Sequence, residues 1–413
     1  MSNQIDITNH DLYVTGVPHE YLKELRENDP VHWTEEPDGG NGFWSITTYK
    51  DVLYVSGHSE IFSSRFGIRL EDMDEEETES RRTLMEMDAP EHTKLRRLVS
   101  RPFSPKSVAA YEDSVRAIAV ELLDSLKGRT EFDFVKHVAR ELPMRMLGSL
   151  LGLPPDDLEW LVQRGDALIG NSDPEFTDYV VDQTDTSAYR LLPFRSPVAL
   201  ELFEYAAIAL EERKISPTND ILTALTLVND EGESLDDMAL KNFFTLMVAA
   251  GNDTTRYTMT EGMLVLIERP ELYAQLATFG TDNMKTLVDE MLRWSSVTMH
   301  FRRTVTEDVE LNGQKLKKGD KVVMWFNSAN RDDEQFENAS VFDPFRKPNA
   351  HVSFGLHSPH LCIGAHLARL EMRVLFEEIA QRWSKVELVS DPTRLRSNFI
   401  SGIKNLPIRV TWK

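Results

Sequence analysis

The chain has a single cysteine, Cys362, in 413 residues. One thiol closes no internal disulfide and builds no cysteine-rich zinc or iron–sulfur site, and such scarcity suits a reducing compartment. Positive charge is also short: 46 Lys and Arg stand against 68 Asp and Glu, for a formal net charge of −22. A chain this acidic repels nucleic acid and anionic membrane surfaces unless it gathers a local basic patch. No uninterrupted apolar run is long enough to span a bilayer. The stretch from Met1 to His10 has neither the basic segment nor the apolar core of a secretory signal. Repeats and low-complexity linkers are missing too. These absences lead us to expect a cytoplasmic protein with no nucleic-acid partner and no membrane insertion, folded as a single domain over residues 1–413. Its hydrophobic content of 41% is ordinary and sufficient for a large core.

What is present is mostly helical periodicity. A short amphipathic helix is expected from Pro18 to Asn28. A hairpin is expected from His32-Trp33-Thr34 and the run from Phe43 to Thr48, around the turn Asp38-Gly39-Gly40-Asn41-Gly42. Helices should dominate from Pro90 to about Leu168 and again up to about Trp294. Strand patterns come late, from Val305 to Leu311, Lys321 to Trp325, around Val386-Glu387-Leu388 and from Leu406 to Thr411. Many helices with a minority of sheet make an α+β, mostly α-helical unit. Two polar stretches read as loops able to form a lid over a buried pocket. One runs from Ser63 to Arg82, is strongly acidic and is expected to be mobile; the other runs from about Asn171 to Pro197.

Ser234-Leu235-Asp236-Asp237 reads as a capping-box-like start. The helix it opens continues without proline to Arg269, before Pro270, which is unusually long. In its middle, Ala249-Ala250-Gly251-Asn252-Asp253-Thr254-Thr255 contains poor helix formers whose side chains compete for backbone hydrogen bonds. This is either a tolerated kink in a core helix or a functional break. Cys362 itself sits in Phe354-Gly355-Leu356-His357-Ser358-Pro359-His360-Leu361-Cys362-Ile363-Gly364-Ala365. A tight turn precedes it and a helix-compatible run follows, which places the sulfur at a helix N-terminus where negative charge is stabilised. An inert thiol, a nucleophile and an axial haem ligand are the readings open to it.

The cysteine run resembles the haem-ligand loop of the cytochrome P-450 family, Phe-Gly-x-Gly-x-His-x-Cys-x-Gly. The resemblance extends in order along nearly the whole chain. His92 and Arg96 lie four apart in an early helix. Gly251-Asn252-Asp253-Thr254-Thr255 matches Gly-x-(Asp/Glu)-Thr-(Thr/Ser), and Glu290-Met291-Leu292-Arg293 matches Glu-x-x-Arg. Asn330-Arg331-Asp332 and Phe342-Asp343-Pro344 come before the cysteine. One departure stands out: Phe354 lies eight residues before Cys362, one more than usual, and Ser358 occupies the position where the family prefers glycine.

The resemblance implies a haem-thiolate monooxygenase in which Cys362 ligates the iron of haem b. One oxygen atom from O2 would enter a small hydrophobic substrate, terpenoid- or steroid-like. Two electrons would come from a ferredoxin with its ferredoxin reductase, since no flavin or iron–sulfur module is seen in the chain. It further implies that Thr254 hydrogen-bonds the bound oxygen and Asp253 relays protons, while a widened helix turn with small Ala250 and Gly251 keeps that face open. His92, Arg96, Arg303 and His360 would meet the haem propionates, with Arg302 competing for the role of Arg303. Phe354, Ile363 and Gly364 belong to the ligand loop, and Glu290, Arg293 and Arg346 to a buried network that braces it. Leu246, Ala250, Val297, Met299 and Phe301 would line the substrate pocket. Lys94, Arg97, Arg101, Lys106, Arg369 and Arg373 would offer the ferredoxin a basic patch, although scattered solvated charges explain them equally well. The rival readings are a peroxygenase or isomerase without redox partner, a non-catalytic haem-based binder, and a cysteine hydrolase pairing Cys362 with His357 or His360.

Overall fold

The structure, a computed structural model, describes residues 5–226 and 235–413. A helix over Asp237–Ile267 runs through the main hydrophobic core; at about 1.5 Å per residue it is roughly 46 Å long. Its N-cap is Asp236, whose carboxylate accepts the Ala239 N–H at 2.8 Å; the proposed cap residue Ser234 lies outside the described residues. The helices Glu141–Leu151, Leu158–Ile169, Val198–Ile215 and Thr281–Ser295 pack around it. This all-round packing lets a segment of weak helix formers stay helical, because tertiary burial overrides propensity. The expected widened turn is not there: the helix is continuous through Ala249 to Thr255. The threonine hydroxyls instead donate back along the helix, Thr254 to the Ala250 carbonyl at 3.1 Å and Thr258 to that of Thr254 at 2.8 Å. Such back-bonding satisfies a buried hydroxyl without removing the backbone ladder.

A five-stranded sheet brings early and late segments together in the order Val31–Thr34, Phe43–Ile46, Lys321–Trp325, His300–Val305 and Phe62–Ser63. All its pairings are antiparallel except that of Phe43–Ile46 with Lys321–Trp325, in which Trp44 faces Val322. The strand expected from Val305 to Leu311 is in fact two pieces. His300–Val305 joins this sheet, and Val309–Leu311 forms a hairpin with Gln314–Leu316. Asn312 and Gly313, at φ 50° and 79°, make the turn between them with the left-handed backbone that a tight hairpin needs. A second sheet joins Glu131–Asp133, Pro407–Trp412 and Trp383–Leu388.

The acidic stretch was expected to be a mobile loop, yet it contains a helix over Glu75–Ser80. Asp74 and Glu77 form a reciprocal capping box at 2.8 and 2.9 Å, and carboxylates crowd the helix N-terminus, where the dipole favours them. The second polar stretch is largely irregular and reaches across to this helix. Arg190 lies 3.1 Å from Asp74, and Arg195 lies 2.9 Å from Glu77. No helix of the described residues is long and apolar enough to cross a membrane.

Candidate active site

Cys362 closes a compact loop by donating its N–H to the Phe354 carbonyl at 2.8 Å. Gly355, at φ 74°, turns the chain in the left-handed region that glycine tolerates. The additional residue is absorbed in a second turn, where His357 adopts φ 61° and the Ser358 N–H donates to the Gly355 carbonyl at 3.2 Å. The Ser358 hydroxyl accepts the His360 N–H at 3.0 Å, a use for serine where glycine could offer nothing. The helix Ala365–Arg382 begins just beyond the cysteine, as its sequence implied. Cys362 is exposed towards a cavity whose wall also includes Thr254, Phe301 and Phe354. Protein surrounds the sulfur closely enough that burial pushes the thiol up. The N–H groups of Gly364 and Ala365 and the charges of Arg96 and Arg369 pull the other way.

Behind this loop, Glu290 and Arg293 are wholly buried and bidentate, at 2.7 and 2.8 Å. Arg346 adds a contact of 3.1 Å to the same carboxylate. Asn349 also donates to it, as does the Asp343 N–H. Arg293 reaches on to the carbonyls of Asn330 and Ala339. Asn330 then accepts the Val352 N–H at 2.8 Å and donates to Ser353 Oγ, so the network extends into the strand of chain that leads to Phe354. Sequence reasoning had Asn330 only as a motif landmark; its bridging role depends on a contact between distant segments.

On another wall, strand alternation separates two arginines. Arg303 lines the cavity, whereas Arg302 donates away from it to the Glu71 carbonyl and Asp72. Arg96 also lines the cavity and hydrogen-bonds the Leu361 carbonyl. His360 is there too; its Nε2 meets Ser64 Oγ at 3.0 Å, and its ring lies 4.2 Å from that of His92. His92 is buried with Nε2 unpartnered and stands behind His360, away from the cavity lining. Burial holds both histidines below their usual range, and neighbouring guanidinium groups add to this. Among the described residues no histidine is hydrogen-bonded to Cys362, which leaves a cysteine–histidine hydrolase without its dyad.

The central helix closes the opposite side. Leu246, Ala250 and Thr254 line both this cavity and an adjoining apolar chamber, as do Met85, Thr298 and Phe301. Asp253 is buried behind Thr254 and lies 3.0 Å from Arg256, which also holds Asp166 at 2.6 Å. Burial raises the Asp253 carboxyl to about 7; Arg256 opposes the shift and Asp166 adds to it. Two sequence expectations fail here. Gly251 faces Leu147, whose methyls would lie 3.1 Å from a Cβ, so its smallness serves helix packing. Met299 is fully buried beside Trp325 and Val323 in a separate core, because its N–H and carbonyl bond to Phe399 and Phe326 and turn its side chain outward. Thr298 takes its place in both linings, and Val297 lines the cysteine cavity alone.

The family model of cytochrome P-450 matches residues 283–412. A steroid C26-monooxygenase of Mycolicibacterium smegmatis is 36% identical over 99% of this chain and 94% of its own length. The chain belongs to the cytochrome P-450 family. A methyl-branched lipid omega-hydroxylase of Mycobacterium tuberculosis is 37% identical over 94% of this chain and 89% of its own. Among solved structures, a Mycobacterium marinum cytochrome P-450 in complex with pseudoionone superposes with a TM-score of 0.88 at 34% identity, covering 98% of both chains.

As a cytochrome P-450 the chain is a monooxygenase, and its cofactor is haem with a cysteine-ligated iron; Cys362 is the one cysteine available. The residues present fit this group. The cavity is apolar around the sulfur, with Phe354 and Ile363 in its wall. At one rim stand Arg96 and Arg303 with His360, a set of donors with no carboxylate in the cavity lining. Buried cations without a counter-ion are costly, and two propionates would supply the missing anions. The expected basic patch loses Arg373, which is buried against Glu112 and Glu377 at 2.6 and 3.0 Å; Arg97, Arg101 and Lys106 stay exposed.

Proposed function

We propose that this cytochrome P-450 hydroxylates an elongated hydrophobic substrate held in the lid-side chamber, with electrons supplied by a ferredoxin and its reductase in the cytoplasm. The observation that carries this reading is the shared wall. Thr254 borders both the thiolate cavity and the apolar chamber, and a buried acid stands directly behind it. When bound, haem supplies the activation of dioxygen and its thiolate favours O–O cleavage.

The chain's own residues have four tasks. Phe301, Leu246 and Phe399 exclude water and hold hydrocarbon. The Thr254 hydroxyl rests as a donor to the Ala250 carbonyl and offers its proton at the wall between the two compartments once it rotates off that carbonyl. Asp253 is poised near neutrality and restores that proton. Arg96, Arg303 and His360 bind and orient the propionates, with His92 supporting the His360 ring. Relatives named for steroid C26 and for methyl-branched lipid oxidation support a substrate whose far end is hydrocarbon. Exposed Arg97, Arg101 and Lys106 favour an acidic electron donor through steering.

The test compares product formation with NADH, ferredoxin and reductase against product formation with hydrogen peroxide alone. Ferredoxin-dependent turnover coupled to NADH supports the reading, and equal or better turnover with peroxide overturns it.

A further inference from the structure

Arg69 lines the apolar chamber, yet no carboxylate of the described residues lies within ion-pairing distance of it. Glu71 and Glu86 share the chamber wall and act on the Arg69 charge at longer range, but each has a nearer partner. Glu71 lies 3.3 Å from Arg81, Glu77 lies 2.9 Å from Arg195, and Glu86 accepts the Thr83 N–H at 3.2 Å. Arg69 Nη2 donates to Asn171 Oδ1 at 3.2 Å, while Nη1 is buried with no partner at all. Two aromatic rings hold the guanidinium in place, with its carbon 4.9 Å from the Phe399 centroid and 5.5 Å from that of Phe194.

The positioning is itself built. Phe194 and Arg195 adopt φ of 60° and 49°, consecutive left-handed residues without a glycine. Asn171 fixes both parts, since its Nδ2 donates to the Phe194 carbonyl at 2.9 Å while its Oδ1 holds Arg69. One buried amide thus locks a strained turn and the arginine beneath its ring. Strain of this kind persists where a surface has to be presented in one geometry. A guanidinium stays charged on burial and has only donors, so whatever completes it must be an acceptor.

We propose that Arg69 binds an acceptor oxygen, carboxylate or carbonyl, on the end of the substrate remote from Cys362. Arg69 lines only the chamber and Cys362 only the thiolate cavity, and the two spaces meet at Leu246, Ala250, Thr254 and Phe301. A molecule gripped at Arg69 therefore passes its hydrocarbon along the central helix towards the sulfur. This assignment rests on the monooxygenase reading and names the polar feature its substrate must carry.

The experiment uses the haem-loaded protein, with dodecanoic acid, methyl undecyl ketone and dodecane as probes, and reads binding by calorimetry and by the haem spin-state shift. In the wild type, at least one of the two oxygenated probes binds more tightly than dodecane. Arg69→Leu weakens that probe by about ten- to a hundredfold, the range of a charge-assisted hydrogen bond, and leaves dodecane unchanged. Loss for the acid alone assigns a carboxylate, and loss for both assigns a carbonyl oxygen. Should Arg69→Leu fail to retain haem, Arg69→Gln is read on the same series by the same rule. Equal effects on all three probes, or no effect on any, overturn the proposal and make Arg69 a packing residue. Failure of the monooxygenase reading is seen separately, as wild-type protein that never shows the thiolate signature in its reduced carbon monoxide spectrum.

Discussion

Behind the sulfur, Arg293 and Arg346 grip Glu290, with Glu290 and Arg293 wholly shielded from water. Over the chamber, Arg190 and Arg195 reach Asp74 and Glu77 in contacts of similar length. There, however, the Arg190 and Asp74 side chains are 37% and 60% exposed, and Glu77, though buried, keeps a second cation in Arg81 at 3.8 Å. The chemistry of the pairs is the same and their consequences are opposite. A buried pair cannot lose one member without stranding a charge, whereas an exposed pair exchanges its partner for water at little cost. The cysteine side is thereby held rigid for a fixed ligand. The polar stretches over the chamber are tied in part by a pair that water can replace.

The sharpest way to break the contrast is Glu290→Ala. It leaves Arg293 and Arg346 unpaired inside the protein at a cost of about 3–5 kcal/mol. We expect loss of haem, measured as the haem-to-protein ratio, together with a lower melting temperature. Retention of full haem occupancy would mean the brace is dispensable. Next in size is Thr254→Ala, which removes the hydroxyl between the two compartments. Product per NADH should fall and peroxide release rise, with a rate loss of about a hundredfold or more if proton delivery is limiting; unchanged coupling would refute the assignment.

Asp253 gives a smaller, pH-dependent effect. Its carboxyl is raised from 3.8 to about 7, so in that window the folded protein binds a proton that the unfolded chain has released. Stability from this group is therefore present at low pH, is lost as pH rises through the window, and is flat above it. Urea unfolding of Asp253→Asn should show a weaker decline than the wild type between pH 5 and pH 7. Parallel curves would place the group's pKa elsewhere. Least of all, Arg190→Ala should change stability by about 1 kcal/mol or less. Stopped-flow measurements should nonetheless show faster substrate exchange, and an unchanged exchange rate would remove this pair from the lid.

The same division explains what could be read in advance. Cys362, the Glu-x-x-Arg pair and the Asp253-Thr254 pair sit in short motifs, where neighbours along the chain are also neighbours in space. Arg303 could be named but not separated from Arg302 until strand pairing showed which one faces the cavity. Met299 was misplaced for a related reason: it lies at the entry to a strand, where backbone bonds to Phe399 and Phe326 decide the direction of its side chain. The mobile-loop reading of the acidic stretch missed the helix Glu75–Ser80, whose like charges are tolerated because arginines from another segment neutralise them. Gly251 looked like clearance for a ligand and proved to be clearance for Leu147.

By itself, the amino-acid sequence determined the ligand and the family and set an acid beside an alcohol midway along the central helix, because each depends on residue types at fixed short spacings. Only the tertiary structure decided which arginine faces the cavity, which wall residues border both compartments, and that Arg69 stands without an ion-pair partner. Those facts depend on which distant segments meet and how deeply they exclude water, and neither is encoded in any local run of residues.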